Sequence, residues 1–265
     1  MILIILIFLL RPSYSNLVHV DEGIKCPKKE YFKAARNLDC ETLRSYLSLY
    51  PTCKRTKDLS ERTAAMWLAG NNRHRSDTNT KERTYLDGKA SFCAQILDSF
   101  GALMINVQDN GGNTAISWAS ANGMTTLLQT LLTSSEFNEN ELGKKKKKKA
   151  LEALENLRKS TPLHSATAHN HFETVKLLLQ HGANVRHADI DGITPLMKAS
   201  INQRNDLVQL FLEHDHDTFK DVSRTKWTAC HYAVFSKNAE MVQLLLLGKK
   251  IVHLILWRRH IFLLI

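Results

Sequence analysis

One short pattern, returning at almost constant spacing, limits what this chain can fold into more than any other feature. Thr161-Pro162-Leu163-His164, Thr194-Pro195-Leu196-Met197 and Thr228-Ala229-Cys230-His231 begin 33 and then 34 residues apart. Fourteen residues after each Thr comes an apolar run: Val175-Lys176-Leu177-Leu178-Leu179, Val208-Gln209-Leu210-Phe211-Leu212 and Val242-Gln243-Leu244-Leu245-Leu246. A period of this length marks a stack of equal supersecondary units.

The residue types explain the pattern. Thr can cap free N–H groups at a helix start, and Pro at the first helical position gives up a donor with no intrahelical partner. Leu163, Ala166, Val175 and Leu178 fall at helical spacing, so each helix pair carries an apolar face that only a neighbouring pair can cover. Small residues such as Ala166 and Ala199 permit close helix approach, and Gly182 is a natural left-handed terminator.

With Asp189-Ile190-Asp191-Gly192-Ile193-Thr194-Pro195 and His181-Gly182-Ala183-Asn184-Val185, the sequence resembles the ankyrin-repeat family. The resemblance implies an all-α solenoid of about five helix-turn-helix units with hairpin loops, and irregular insertions at about 71–88 and 136–150. The expected array runs over 29–247, with units at about 29–60, 61–108, 109–158 and 159–191, and the last two units in 192–247.

The earlier units are less regular. Lys29 stands in the Thr column before Ala34 and Ala35, as suits an atypical first unit with one face to solvent. Thr63 starts the next unit. From Thr63 to Thr114 is 51 residues, 18 beyond the period, and polar residues 71–87 read as a loop inserted between two helices. From Thr114 to Thr161 is 47, and this second excess contains Lys144 to Lys149, whose mutual repulsion predicts a solvated, mobile segment. Lys226 occupies a position where Gly is usual.

The two ends depart from the pattern. Residues 1–20 open with an apolar run that resembles a secretory signal but has no basic residue near its start, and reads as a leader or as spurious sequence. Residues 248–265 form an apolar and basic tail. The string Leu-Gly-Lys-Lys recurs at Leu142 and Leu247, where the pattern breaks off, so the tail reads either as native or as translated intron.

The net charge is +10, and the lysine run supplies six of those charges. With no zinc-finger spacing and no aromatic-studded basic groove, nucleic acid is not the expected ligand. Five scattered cysteines, none in a C-x-x-C pair, read as reduced thiols of a cytoplasmic protein. Twelve histidines raise a metal reading. His164 and His231 fill a column where the resembled family has a His that steadies the hairpin, His171 starts a second helix, and His214 to Asp217 lack helical metal-site spacing. No metal and no cofactor is expected. Cys230-His231 are neighbours pointing in different directions, and no catalytic or phosphate-binding motif appears, so no enzyme is expected.

What the resemblance implies is a non-catalytic scaffold that grips a partner protein on a concave surface of hairpin tips and first helices. By register, the contact positions are Asn110, Asn113 and Asn122; His169; Ile190, Asp191, Ile193, Ile201 and Asn202; and Trp227 and Phe235. Apolar Ile190, Ile193, Trp227 and Phe235 would be anchors, or would pack hairpin on hairpin. An alternative is the cytosolic ankyrin portion of a transient-receptor-potential ankyrin-type cation channel, on the cytosolic face of a membrane, suggested by the early Tyr31-Phe32-Lys33-Ala34-Ala35 helix and the irregular array. Contact with a membrane is expected only in that case or if the leader is real.

Overall fold

The computed structural model describes residues 25–70, 80–137, 140–155 and 157–247, so the leader-like segment, part of the first insertion and the tail lie outside the described residues. Among the described residues there are thirteen α-helices and no strands. They run α1 (Lys28–Arg36), α2 (Cys40–Leu49), α3 (Ala64–Gly70), α4 (Thr80–Ser99), α5 (Ala115–Asn122), α6 (Thr125–Leu132), α7 (Glu141–Leu151), α8 (Pro162–Ala168), α9 (Phe172–Gln180), α10 (Pro195–Ile201), α11 (Asn205–His214), α12 (Ala229–Phe235) and α13 (239–247).

Leaving out α7, they form six antiparallel pairs. First helices stack on first helices (α1 on α3, α3 on α5, α5 on α8, α8 on α10, α10 on α12), and second helices form a parallel row behind them. Helices of seven or eight residues are marginal alone, and their stability comes from this stacking. Thr114 and Thr194 accept from the backbone N–H of Ser117 and Met197. Thr161 and Thr228 form capping boxes with His164 and His231. The Ala column, at Ala34, Ala119, Ala166, Ala199 and Ala233, is buried at the seam between first helices.

Two backbone columns recur in five units each. Nine residues after the Thr position the chain is left-handed at Leu38, Gly123, Asn170, Gln203 and Lys237. Leu38 keeps this register relative to Lys29, which supports reading Lys29 in the Thr column. Two residues before the Thr, Glu61, Gly112, Lys159, Gly192 and Lys226 are left-handed as well. At Gly123 the need for glycine is also steric, since an added Cβ would lie 2.4 Å from Arg83 Nη2 and 2.5 Å from His171 Nδ1.

Two expectations are corrected. The first insertion is not a loop throughout, because α4 begins at Thr80 and extends the second helix of its unit to 20 residues. Its early turns are held by contacts to the next unit. Asp87 accepts from Thr126 N and Leu127 N, both at 2.8 Å, and so caps α6. Arg83 Nη2 donates to Asn122 O at 2.6 Å. The lysine run is not an unstructured loop either. It lies in α7, capped by Asn140 Oδ1 accepting from Gly143 N at 2.7 Å and anchored by buried Ala150 and Leu151. Lysine is a good helix former, and five of the six lysines face solvent, where repulsion is screened.

The cysteines are also corrected. Cys26 bonds to Cys53 across the first unit, with Cα atoms 5.0 Å apart, and Cys40 at the start of α2 bonds to Cys93 in α4, with Cα atoms 4.8 Å apart. Their sequence separations of 27 and 53 hid these pairings: the first needs the first helix pair folded back on itself, and the second needs α2 stacked against α4. Cys230 alone is a free thiol among the described residues.

Candidate partner-binding surface

Among the described residues, four hairpins are built on a side-chain acceptor five residues before the Thr column. Asp58 Oδ1 accepts from Ser60 N and Arg62 N at 2.8 Å. Asp109 Oδ1 accepts from Gly111 N and Asn113 N at 2.9 and 2.8 Å. Asp189 does the same for Asp191 N and Ile193 N at 2.9 Å, and Ser223 Oγ substitutes in the last unit by accepting from Trp227 N. The tips are linked unit to unit by backbone bonds: Asn110 N to Ser60 O, Ile190 N to Arg158 O, and Arg224 N to Asp191 O. The hairpins therefore form a pre-organised row.

The register-selected positions fall into distinct classes on this row. Asn110 and Asp191 have exposed side chains at the tips, and Ile190 beside Asp191 is 41% exposed. Ile201 at the end of α10 is 38% exposed, and His169 is exposed with Nδ1–H donating to Ser165 O. Asn113 is half-buried on Asp109, and Ile193 is half-buried against the core. Asn122 is buried and donates Nδ2 to Ala69 O at 2.7 Å, and Asn202 donates to Ala168 O at 3.2 Å. Those two amides fasten one unit to the preceding one. Trp227 packs on Phe235, with ring centroids 5.7 Å apart, at the end of the array.

The histidines have structural partners. His164 Nδ1 accepts from Thr161 N, so the ring proton sits on Nε2, which donates to Ile193 O in the next hairpin at 3.0 Å. His171 Nε2 reaches Ala121 O at 3.1 Å. Burial pushes both imidazoles down to about 4, helped at His171 by the neighbouring Arg83 guanidinium. His231 Nδ1 is engaged by Thr228, not by Cys230. Among the described residues no group of three or more His, Cys, Asp or Glu comes together in a way that could hold a metal ion.

Sequence reasoning missed a second feature of the first-helix face. Trp67 Nε1 donates to Asp58 Oδ2 and Trp118 Nε1 to Asp109 Oδ2, each at 3.0 Å. The Arg62 guanidinium lies 5.3 Å from the Trp67 ring and 5.1 Å from that of Trp118, and Arg36 stands over Trp67 at 5.6 Å. The signal was available: Asp58 and Trp67, and Asp109 and Trp118, both stand nine residues apart. A polar hollow of about 340 Å³ lies where the inserted α7 meets the third unit's hairpin and is lined by Gln108, Lys149, Glu152 and Lys159. Gln108 Nε2 bridges it by donating to Gly112 O and Leu154 O.

Stacked helix pairs joined by a row of hairpins, with polar and apolar side chains displayed along one side, define a repeat scaffold of the protein-interaction kind. The family model for ankyrin repeats matches residues 86–189, 138–218 and 163–253, and the chain belongs to the ankyrin-repeat family. Rabankyrin-5 of Mus musculus is 35% identical over 86 residues, 32% of this chain and 7% of that protein. An ankyrin repeat and KH domain-containing protein of Caenorhabditis briggsae is 37% identical over 89 residues, 33% of this chain and 3% of that protein. Transient receptor potential cation channel subfamily A member 1 of Homo sapiens is 33% identical over 87 residues, 33% of this chain and 8% of that protein. The chain thus spans less than a tenth of the length of these relatives. Among solved structures, an ankyrin repeat domain from Acinetobacter baumannii AYE superposes with a TM-score of 0.64 at 22% identity, covering 84% of this chain and 98% of that one. That likeness concerns the fold. No helix among the described residues is long and apolar enough to cross a membrane.

Proposed function

We propose that the chain is a non-catalytic scaffold that binds a partner protein along the hairpin tips and the adjoining ends of the first helices, with Ile190 and Ile201 as apolar anchors and Asn110, Asp191 and His169 as polar contacts. The supporting observation is that Ile190 and Ile201 stay exposed although stacking buries most of the large apolar side chains of the same unit. The hairpin hydrogen bonds hold this surface in one conformation before binding, which lowers the entropic cost of association. The membership in a family of interaction modules points the same way, but one repeat fold serves unrelated tasks.

The test is affinity capture with the full chain, the Ile190→Ser/Ile201→Ser variant, and a Gln209→Ser control on a second helix. A partner retained by the wild type and the control but lost from the double variant, with helical content unchanged, supports the reading. Equal retention by all three sinks it. The ion-channel reading rests on a match of about the same length as those to two proteins with unrelated names, and at lower identity, so no observation lifts it above the general one.

For location, the two disulfides favour an oxidising compartment over the cytoplasm. Counting thiols in the natively expressed chain separates the two settings: one free thiol supports the former and five the latter.

A further inference from the structure

Arg36 and Arg62 occupy columns that carry apolar side chains in the later units. Arg36 stands seven residues after Lys29, as Ile201 and Phe235 stand after Thr194 and Thr228. Arg62 stands one residue before Thr63, as Ile193 and Trp227 stand before their own Thr. Net charge changes along the array in the same sense. Residues 25–62 hold ten Lys and Arg against five Asp and Glu, whereas residues 186–235 hold six against seven. The side that displays apolar groups in the later units therefore displays cations in the first ones.

Both guanidinium groups are held by stacking on indole rings, Arg62 on Trp67 and Trp118 and Arg36 on Trp67. The nearest carboxylates are already committed. Asp58 Oδ2 accepts from Trp67 Nε1 and Asp109 Oδ2 from Trp118 Nε1. Asp109 Oδ2 lies 3.9 Å from Arg62 Nε, beyond hydrogen-bond reach, and that nitrogen is buried with no hydrogen-bond partner. The Arg62 side chain is nevertheless 33% exposed, and Arg36 is exposed at the end of α1. A guanidinium fixed flat on a ring keeps its in-plane N–H edge for a carboxylate, which it can receive through two parallel hydrogen bonds.

We infer that Arg36 and Arg62 form a carboxylate-binding site for an acidic segment of the partner protein, whose apolar part seats on the later units. This rests on the partner-binding reading and names the chemistry of that partner. The surplus of cations over residues 25–62 draws an acidic segment to this end of the row and so fixes the direction in which the partner lies. A nucleic-acid strand fits less well, because guanidinium groups take the ring faces on which bases would stack and Trp118 is buried.

The probe is a fluorescein-labelled hexaglutamate peptide, titrated with the full chain and followed by anisotropy. Arg36→Gln/Arg62→Gln should weaken its binding at least fivefold, and the control Lys145→Gln/Lys148→Gln, on the lysine-rich α7, less than twofold. Should the double variant lose helical content, Arg36→Gln alone replaces it, since that exposed side chain stacks on a single ring, and it should weaken binding at least twofold. No binding by the wild type, or equal binding by the wild type and the arginine variants, would overturn the assignment. So would a thymidine oligonucleotide that binds the wild type more tightly than hexaglutamate and is lost from the arginine variants. Ile190→Ser/Ile201→Ser should bind hexaglutamate as the wild type does, so failure of the capture experiment and failure of this one remain distinguishable.

Discussion

The indole of Trp118 reaches back nine residues to Asp109, donating from Nε1 to Oδ2 at 3.0 Å, while the other carboxylate oxygen holds the hairpin backbone. One acidic side chain thus joins a turn to the helix it introduces, and Trp67 with Asp58 repeats the device one unit earlier.

Trp118→Phe should therefore destabilise the chain by about 1–3 kcal/mol, because Asp109 is buried and its Oδ2 would lose the indole donor. Trp67→Phe should cost less, since Trp67 is only half-buried. Thermal unfolding of the two variants gives the comparison, and the reverse order would contradict this account.

Acidification should weaken the fold through two histidines. His164 and His171 are held near 4 in the folded chain against an ordinary 6.5, so between those values the unfolded chain takes up protons that the folded one refuses. Stability is complete above about pH 6.5 and falls below it, by at most about 1.4 kcal/mol per pH unit for each group. Denaturant unfolding at pH 7 and pH 5 measures the loss, and His171→Asn should reduce it. A loss unchanged in both His164→Gln and His171→Asn would assign it to other groups.

The left-handed hairpin column gives a pair of opposite substitutions. Lys226, with φ of 64°, should be improved by Lys226→Gly by up to about 1 kcal/mol. Gly192→Ala should be destabilising by more, because its Cβ would stand 2.7 Å from Arg224 N in the next hairpin. Melting temperatures should move in opposite directions.

Removing the inter-unit crosslink with Cys40→Ser/Cys93→Ser should cost about 3–4 kcal/mol, as expected for opening a loop of 53 residues. A reductant added to the wild type should cost more than this, because it also opens Cys26–Cys53, and chemical denaturation with and without reductant reads both.

Much of the array was legible because its signals are local. Thr161, Thr194 and Thr228 announce helix starts through capping chemistry, and Leu163 with Val175 announces a buried face through spacing alone. Even the weak first unit could be placed from Lys29, and the left-handed turn at Leu38 agrees. What stayed hidden depends on contacts far apart in sequence. Asp87 looks like one more polar residue of a loop until α6 lies beside it, and Cys40 has no visible reason to choose Cys93 before α2 and α4 stack. Charge repulsion was overweighted for Lys144 to Lys149, where a capped helix spaces the ammonium groups in water. For the surface, register alone placed Asn110 and Ile190 outward but could not tell that the Asn122 amide is spent on Ala69.

The two covalent links described at the start of the chain give the stack a polarity. A one-dimensional array comes apart where its units are least tied together, and here the head is riveted while the later described units hold by packing and hydrogen bonds alone. Unfolding should then spare the first two units longest, so that a partner seated on the later hairpins is released under stress while the head still stands.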